Sequence, residues 1–279
     1  MKKKILGCML AALMLLTSGC QSRKPVVYSN LTEDAIRYDL DSLLENAGVS
    51  DQQRFVFFSH VDQFNEAMNQ EFLTQGFSPL GSIPYDSYAV QDAWDQTHPD
   101  FMGYNCRITA FTLYTGHFLK MPENPEILSE DMLIFDLAAL EQDSSAFPAG
   151  VDRFRSFFSS VPTENTKDQK VHVSKILESW ENRGITFVDD PDIRMINMVF
   201  HAQDGEENYL FIGHSGVLLP TPDGELWFLE KLAFQQPYQL VVFQNRKQLE
   251  DYLMEKYDLD QGQPLAKPFI LENDSLMKS

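Results

Sequence analysis

The 279-residue chain has few basic residues, few cysteines and little glycine or proline. Its 22 lysines and arginines face 41 acidic residues, and the net charge is −19. A chain of this sign is repelled by phosphate backbones, so we expect no nucleic-acid partner. The 14 glycines and 14 prolines exclude collagen-like and low-complexity chains. Hydrophobic residues make up 43% of the chain, including 21 phenylalanines, which is enough for a sizeable core and excludes a mainly disordered protein.

The apolar run at residues 5–16 is shorter than the roughly 20 residues that a membrane-spanning helix needs. It follows three lysines and leads to the sequence LLTSGC, ending at Cys20, which resembles the bacterial lipobox. This arrangement predicts a lipoprotein signal peptide at residues 1–19, a lipidated Cys20 and a tether over residues 20–29. The protein is then expected at the cell membrane, on its extracytoplasmic face. An ordinary secretory signal is the alternative.

Removal of the signal segment deletes three lysines and no acidic residue, so the remaining chain is more acidic still. An anionic membrane repels such a chain, and attachment must rely on the lipid. Of the three cysteines, Cys8 leaves with the signal and Cys20 carries lipid, so Cys106 has no partner for a disulfide. A lone thiol in an exported protein is open to oxidation, and it is therefore expected to be either buried or reactive.

Hydrophobic spacing predicts a helical first part followed by a C-terminal antiparallel meander sheet. Asn30 with Glu33, and Ser50 with Gln53, are spaced as capping boxes. The predicted helices cover residues 31–46, 51–69, 87–96, 105–119, a segment from 129, 150–159, 167–183 and 247–257. The predicted strands cover residues 193–203, 209–219, 225–234 and 238–244. We expect one α+β domain over residues 30–265, then a polar tail over residues 266–279.

Cys106 is predicted at the start of a helix, where unpaired N–H groups and the helix dipole favour a thiolate. A thiolate next to a histidine is a strong nucleophile, and His214 is the best candidate partner. By alternation along its strand, His214 is expected to share a face with Leu210, Ile212 and Leu218. An imidazole on an apolar face needs an explanation, although a buried cysteine and a core histidine without any activity would show the same pattern.

The hairpin turn at residues 222–224 predicts a third residue for the candidate site of Cys106 and His214. Pro-Asp-Gly suits a type I turn with a bulge at Gly224, which pairs Thr221 with Glu225. Glu230 then lies opposite Gly216 and diagonal to His214, within reach of its ring. A two-residue turn would place Glu230 on the other face. Gln239, on the next strand, is the alternative residue to orient the imidazole.

Two motifs resemble those of NlpC-type cell-wall cysteine peptidases: YNCRITAF at residues 104–111 and HSGVLL at residues 214–219. The resemblance implies a papain-like, NlpC-like core with Cys106, His214 and Glu230 in the family's order of nucleophile, base and orienting residue. The chain departs from that family in the hundred or so residues between the cysteine and the histidine, and in Arg107 where a small residue is usual.

The same motifs, with FLEKLAFQQPYQ at residues 228–239, also resemble an uncharacterised lipoprotein family of Gram-positive bacteria, domain of unknown function 4300. That family implies no activity. We expect a thiol hydrolase of amidase or peptidase type acting on cell-wall or other small acyl substrates. In it, the backbone N–H of Cys106, with Tyr104 or Asn105 nearby, holds the oxyanion.

Two other functions stay open. One is a non-catalytic lipoprotein that binds a ligand or partner in the same cleft, and the other is a structural envelope protein. The sequence has no calcium-loop spacing, no HExxH motif, no cysteine cluster and no glycine-rich phosphate loop, so neither a metal nor a cofactor is expected.

Overall fold

The computed structural model describes residues 24–68, 72–81, 86–143, 150–259, 262 and 264–279. The predicted signal peptide, Cys8 and the lipidation candidate Cys20 therefore lie outside the described residues. Within the described ranges, no helix has both the length and the apolar character to cross a membrane.

The chain is an α+β protein whose N-terminal part is mostly helical. The helices of the described ranges are α1 (Asp34–Asn46), α2 (Asp51–Ala67), α3 (Ser87–Thr97), α4 (Cys106–Tyr114), α5 (Ile134–Gln142), α6 (Val151–Phe158), α7 (Gln169–Asn182) and α8 (Arg246–Tyr257). A short 3-10 turn at Asp131–Leu133 leads into α5. The predicted helix over residues 105–119 is shorter than expected, because the extended Thr115 follows α4 and Gly116 has a φ of 86°.

The two predicted capping boxes have different outcomes. Ser50 and Gln53 form the expected box at the start of α2. The box at Asn30 is wrong, because α1 begins only at Asp34. The buried side chain of Asn30 instead donates to the Tyr238 carbonyl at 2.9 Å and accepts from the backbone N–H of Thr74 at 3.0 Å. Asn30 thus ties together three distant segments rather than capping a helix.

The main sheet is antiparallel, and its order is β11-β10-β6-β7-β8-β9-β1-β2, with β4 paired to β7 beside β8. Its strands are β1 (Val27–Ser29), β2 (Ser78–Pro79), β4 (Val161–Pro162), β6 (Arg194–Asp204), β7 (Glu207–Pro220), β8 (Leu226–Lys231), β9 (Tyr238–Phe243), β10 (Phe269–Glu272) and β11 (Ser275–Leu276). β3 (Leu119–Lys120) and β5 (Thr186–Phe187) form a separate pair. The consecutive pairing of β6, β7, β8 and β9 confirms the predicted meander.

Two segments placed outside the domain by the sequence analysis contribute strands to this sheet. β1, in the expected tether, pairs with β9. The expected polar tail is wrong as a description, because β10 pairs with β6 and its residues Phe269, Ile270 and Leu271 are buried. A strand needs only a few apolar residues, and these short runs carry too little periodicity to predict one.

Hydrophobic clusters cover both faces of the sheet. On one face, Phe111 of α4 belongs to the same cluster as Leu229 and Leu240 of the sheet. On the other face, Leu249 and Leu253 of α8 pack with Phe228. Helices α4 and α8 therefore approach the meander from opposite sides, and residues of both reach the candidate site.

Candidate active site

Helix α4 begins at a gap beside β7. The ladder between β7 and β8 ends at the pair Gly216 and Glu230, while β4 pairs with β7 only at residues 209–210. Both partners lie on the side of β7 away from β6, and among the described strands none pairs with residues 211–215 on that side. This stretch of backbone is available to the start of α4.

Two side chains of α4 occupy this gap. Arg107 donates through Nη1 to the carbonyl of Ile212 at 3.1 Å. The Cys106 Sγ lies 3.9 Å from the carbonyl oxygen of Gly213. Because a helix start docks against the strand edge, the thiol lies beside β7, close to the residue that follows Gly213.

Asn105 fixes the start of α4. Its Oδ1 accepts from the backbone N–H of Ile108 at 3.0 Å, which is an N-cap contact. Its Nδ2 donates to the fully buried carboxylate of Asp136 at 2.7 Å, and that carboxylate also accepts from Nε of Arg107 at 2.9 Å. The side chain predicted as an oxyanion donor therefore caps the helix and binds Asp136 in this structure.

A β-bulge sets the direction of His214. Met198 of β6 pairs with His214 and the next residue pairs with Ile212, so Gly213 has no partner. A Cβ on Gly213 would lie 2.7 Å from the ring of Phe200, closer than side chains pack. The bulge corrects our expectation for the strand: Leu210 and Ile212 face the α4 side, whereas His214 turns to the α8 side with Leu218.

The predicted hairpin register is confirmed, with Gly216 opposite Glu230 and a turn bulge at Gly224. His214 Nε2 lies 2.5 Å from Oε2 of Glu230, so Nδ1 is the ring nitrogen left for Cys106. Glu230, rather than the alternative Gln239, contacts the imidazole.

The charges around the thiol and the imidazole favour an ion pair. Burial by itself raises the pKa of Cys106, but the charge and hydrogen bond of His214, the charge of Arg107 and the backbone N–H of Ser215 bring that pKa below the usual value of a thiol. Burial lowers the pKa of His214, but Cys106 and Glu230 raise it to about 9. A thiolate and an imidazolium therefore stabilise each other at this position.

Tyr104 lies next to the site but has other partners. Its hydroxyl donates to Asp143 at 2.5 Å, and its ring stacks on His60 with the ring centroids 3.9 Å apart. Gln239 donates through Nε2 to the hydroxyl of Tyr252 at 3.3 Å. The structure thus places Tyr104 and Gln239 around the predicted triad, and their roles toward a substrate stay predictions.

The site is closed to a large degree. Cys106 is 6% exposed and His214 is 2% exposed. The ring of Tyr257 stacks on the imidazole with the centroids 4.8 Å apart. Tyr257 also lines a cavity of about 670 Å³ whose other polar walls include Lys167, Gln169, His201 and Lys267. Tyr257 therefore contacts both this cavity and the imidazole.

The sequence reasoning missed the contribution of α8. Tyr252 donates to Oε1 of Glu230, and Lys256 donates to the Tyr252 hydroxyl at 3.2 Å. The only signal was the spacing of four between Tyr252 and Lys256, which places them on one side of the helix. Across the described ranges, no group of three or more histidine, cysteine, aspartate or glutamate side chains could hold a metal ion.

The family model for "Domain of unknown function (DUF4300)" matches residues 27–277, which include every described strand. No curated protein and no solved structure matches the chain.

Proposed function

The chain belongs to the DUF4300 family, and we propose from the residues of its candidate site that it is a thiol hydrolase held at the outer face of the cell membrane by lipid. Cys106 is the nucleophile, His214 the base and then the acid, and Glu230 the residue that orients the imidazole. The single observation that supports this proposal most is the continuous contact from a thiol at a helix start to a histidine and then to a buried carboxylate.

These residues suit an acyl-transfer reaction. The Cys106 thiolate attacks the carbonyl carbon of an amide or ester, and the carbonyl electrons move to its oxygen. His214 then gives its proton to the leaving amine or alcohol as the carbon–heteroatom bond breaks, leaving a thioester. His214 next takes a proton from water, whose oxygen attacks the thioester carbon. The carbon–sulfur bond then breaks, which releases a carboxylic acid and restores the Cys106 thiolate beside the His214 imidazolium.

The oxyanion is proposed to be held by the backbone N–H of Cys106. The first N–H groups of a helix have no acceptor within the helix, so they can bind a developing negative charge. Asn105 supports this arrangement by capping the same helix start. The substrates we propose are cell-wall stem peptides or other small acyl compounds, in keeping with the proposed papain-like core and the proposed lipid anchor at Cys20.

The rival proposal is a lipoprotein that binds a ligand or partner without catalysis. The observation in its favour is the low exposure of the site, with Cys106 at 6% and His214 at 2%. Under this proposal the thiol is inert, and a ligand bound beside it survives Cys106→Ser.

The first experiment measures the alkylation rate of Cys106 with iodoacetamide against pH, in soluble protein that begins at residue 21. We expect the rate to stay high well below the free-thiol pKa of about 8.5. His214→Ala should remove that reactivity with the fold intact by circular dichroism. A slow thiol, or one indifferent to His214→Ala, would contradict the hydrolase and favour the binding protein.

Hydrolysis is then screened with aryl esters and peptide amides. Cys106→Ala must abolish any turnover found, and unchanged turnover would end the proposal. The anchor has a separate test, which is the labelling of the full-length chain with palmitate in a bacterial host. Cys20→Ala should lose both the label and the membrane fraction, and a variant that keeps both would exclude lipidation at Cys20.

A further inference from the structure

Glu230 has a separate partner for each oxygen of its carboxylate. Oε2 contacts Nε2 of His214 at 2.5 Å, and Oε1 accepts the hydroxyl of Tyr252 from α8. The side chain of Glu230 is fully buried, so water does not compete for either oxygen. The orientation of the carboxylate toward the imidazole therefore depends on the hydroxyl on its other side.

The direction of that hydroxyl is set by two donors. Gln239 Nε2 and Lys256 Nζ lie 3.3 Å and 3.2 Å from the Tyr252 oxygen, and both groups can only donate. A tyrosine hydroxyl has one hydrogen to give and two lone pairs that accept. With both lone pairs taken, the hydrogen of Tyr252 is directed to Glu230.

The charge of the buried site gives Lys256 a role. A thiolate, an imidazolium and a carboxylate together carry one net negative charge, and burying an uncompensated charge is costly. Lys256 supplies the opposite charge from α8, where it also lies over the rings of Tyr252 and Tyr257 at 5.3 Å and 5.5 Å.

The neighbouring charged groups on the α4 side act on Cys106 and not on Glu230. The charge of Arg107 lowers the pKa of the thiol, and burial lowers the pKa of Lys231 while Cys106 raises it. Arg107 binds the buried Asp136. The ammonium of Lys231 donates to the carbonyls of Ala233 and Phe234 and lies 3.9 Å above the ring of Phe64. Neither contact involves Glu230, so the charge balance at that carboxylate depends on His214 and on α8.

We propose that Tyr252 and Lys256 are positioning residues of this site, and that Lys256, acting through Tyr252, keeps Glu230 ionised and turned to His214. The inference rests on the proposed thiol hydrolase and adds two residues to its machinery. It also gives α8, which covers one face of the sheet, a role in the site.

The direction of the effect follows from the site's electrostatics. Burial raises the pKa of Glu230, while Lys256, His214 and Tyr252 bring it below the ordinary value. Without Lys256 the pKa of Glu230 rises, and the carboxylate stabilises the imidazolium less. The pKa of His214 then falls and the pKa of Cys106 rises, so the pH range of the ion pair narrows from both sides.

The test compares the alkylation rate of Cys106 as a function of pH in the full-length chain held in detergent. Alkylation is measured by mass spectrometry of the peptide that contains Cys106. The acid limb of the profile is the low-pH range in which the alkylation rate rises as the thiolate forms. Lys256→Met and Tyr252→Phe should each shift this limb to higher pH by about one unit, which is about a tenfold loss of rate at a given pH on the limb. Lys256→Arg should restore most of it, because the charge is kept. The double variant should lose no more than either single one, since both act along one path.

Lys247→Met removes a charge from the exposed first turn of the same helix, and Tyr88→Phe removes an exposed hydroxyl from α3. Both controls should give the wild-type profile. Melting temperatures of all variants are measured alongside, because a merely structural role would lower stability without moving the limb.

The outcomes separate the two proposals. One outcome is that the wild-type thiol reacts well below the pH of a free thiol and depends on His214, while Lys256→Met and Tyr252→Phe leave its pH profile unchanged. The positioning role is then overturned and the hydrolase stands. If Lys256→Arg fails to restore a limb that Lys256→Met moved, the charge is not the cause and the positioning role is also overturned. If the wild-type thiol titrates as a free thiol, both proposals are overturned.

Discussion

Replacement of Asn105 by aspartate distinguishes the two contacts that hold the start of α4. Asparagine and aspartate are equally good N-caps, so capping alone predicts no change for Asn105→Asp. The second contact predicts a large change, because Nδ2 of Asn105 lies 2.7 Å from the carboxylate of Asp136. The substitution exchanges this hydrogen bond for two carboxylates in a buried place.

The size of the effect is limited by protonation. Two unit charges 2.7 Å apart at an effective dielectric constant of about 20 repel by about 6 kcal/mol. Protonating one carboxyl with an ordinary pKa of about 3.9 costs about 4 kcal/mol at pH 7 and about 1.5 kcal/mol at pH 5. Protonation is therefore the cheaper response at both pH values. Arg107, bound to the same carboxylate, offsets part of the repulsion if both carboxyls stay ionised, so about 4 kcal/mol is an upper limit at pH 7.

We expect Asn105→Asp to lower the free energy of unfolding by about 2–4 kcal/mol at pH 7 and by clearly less at pH 5. The new carboxyl has a raised pKa in the folded state, so its destabilising effect grows as pH rises through that pKa. The measurement is urea unfolding at both pH values.

Asn105→Ala is the matched control. It loses the cap, worth about 1 kcal/mol, and a hydrogen bond to a charged group, worth about 1.5–3 kcal/mol, without adding a titrating group. Its loss should be the same at both pH values. A loss below about 0.5 kcal/mol for Asn105→Asp at pH 7, or equal losses at pH 5 and pH 7, would refute the reasoning.

Two further substitutions test the triad and its register. Glu230→Gln removes the charge opposite His214 and should lower the pKa of the imidazole from about 9 by about 1–2 units. The pKa is measured by NMR titration, and an unchanged value would contradict the contact between His214 and Glu230. Gly216→Ala would place a Cβ against the ring of Phe228 and 2.8 Å from the carbonyl oxygen of Leu229, which should cost about 1–3 kcal/mol in chemical unfolding. A variant as stable as the wild type would show that the strands do not approach as closely as described.

The contact between His214 and Glu230 could be predicted because it depends on local turn chemistry. The Pro-Asp-Gly turn determines the pairing of β7 with β8, and alternation then places Glu230 on one face of the sheet. Gly224 has the φ of 87° that such a turn needs. A short-range feature of the sequence was therefore enough to bring together two residues 16 positions apart.

The bulge at Gly213 could not be predicted in this way. It depends on Phe200 of the neighbouring strand, whose ring fills the space that a Cβ at residue 213 would occupy. Alternation without the bulge places Ile212 beside His214, whereas the structure has them on opposite faces. A bulge interrupts the alternation of side chains between the two faces of a strand. Its position here depends on packing against a neighbouring strand, which the sequence of β7 alone does not show.

The role of α8 was unpredictable for a related reason. The spacing of Tyr252 and Lys256 shows that they share a side of the helix, but it does not show which strand that side faces. That contact is decided by the packing of Leu249 and Leu253 against the sheet.

The site depends on segments from nearly the whole length of the family match. The proposed nucleophile comes from α4, the proposed base and its carboxylate from β7 and β8, and the hydroxyl behind the carboxylate from α8. β8 is held between β7 and β9, and β9 in turn pairs with β1 near the beginning of the match at residue 27. A chain ending before α8 would lose the hydroxyl on Oε1 of Glu230, the charge of Lys256 and the side chains that cover this face of the sheet. The contact that holds Glu230 against His214 would then be open to water, which weakens it. The electrostatics of Cys106 are therefore tied to a helix about 140 residues further along the chain.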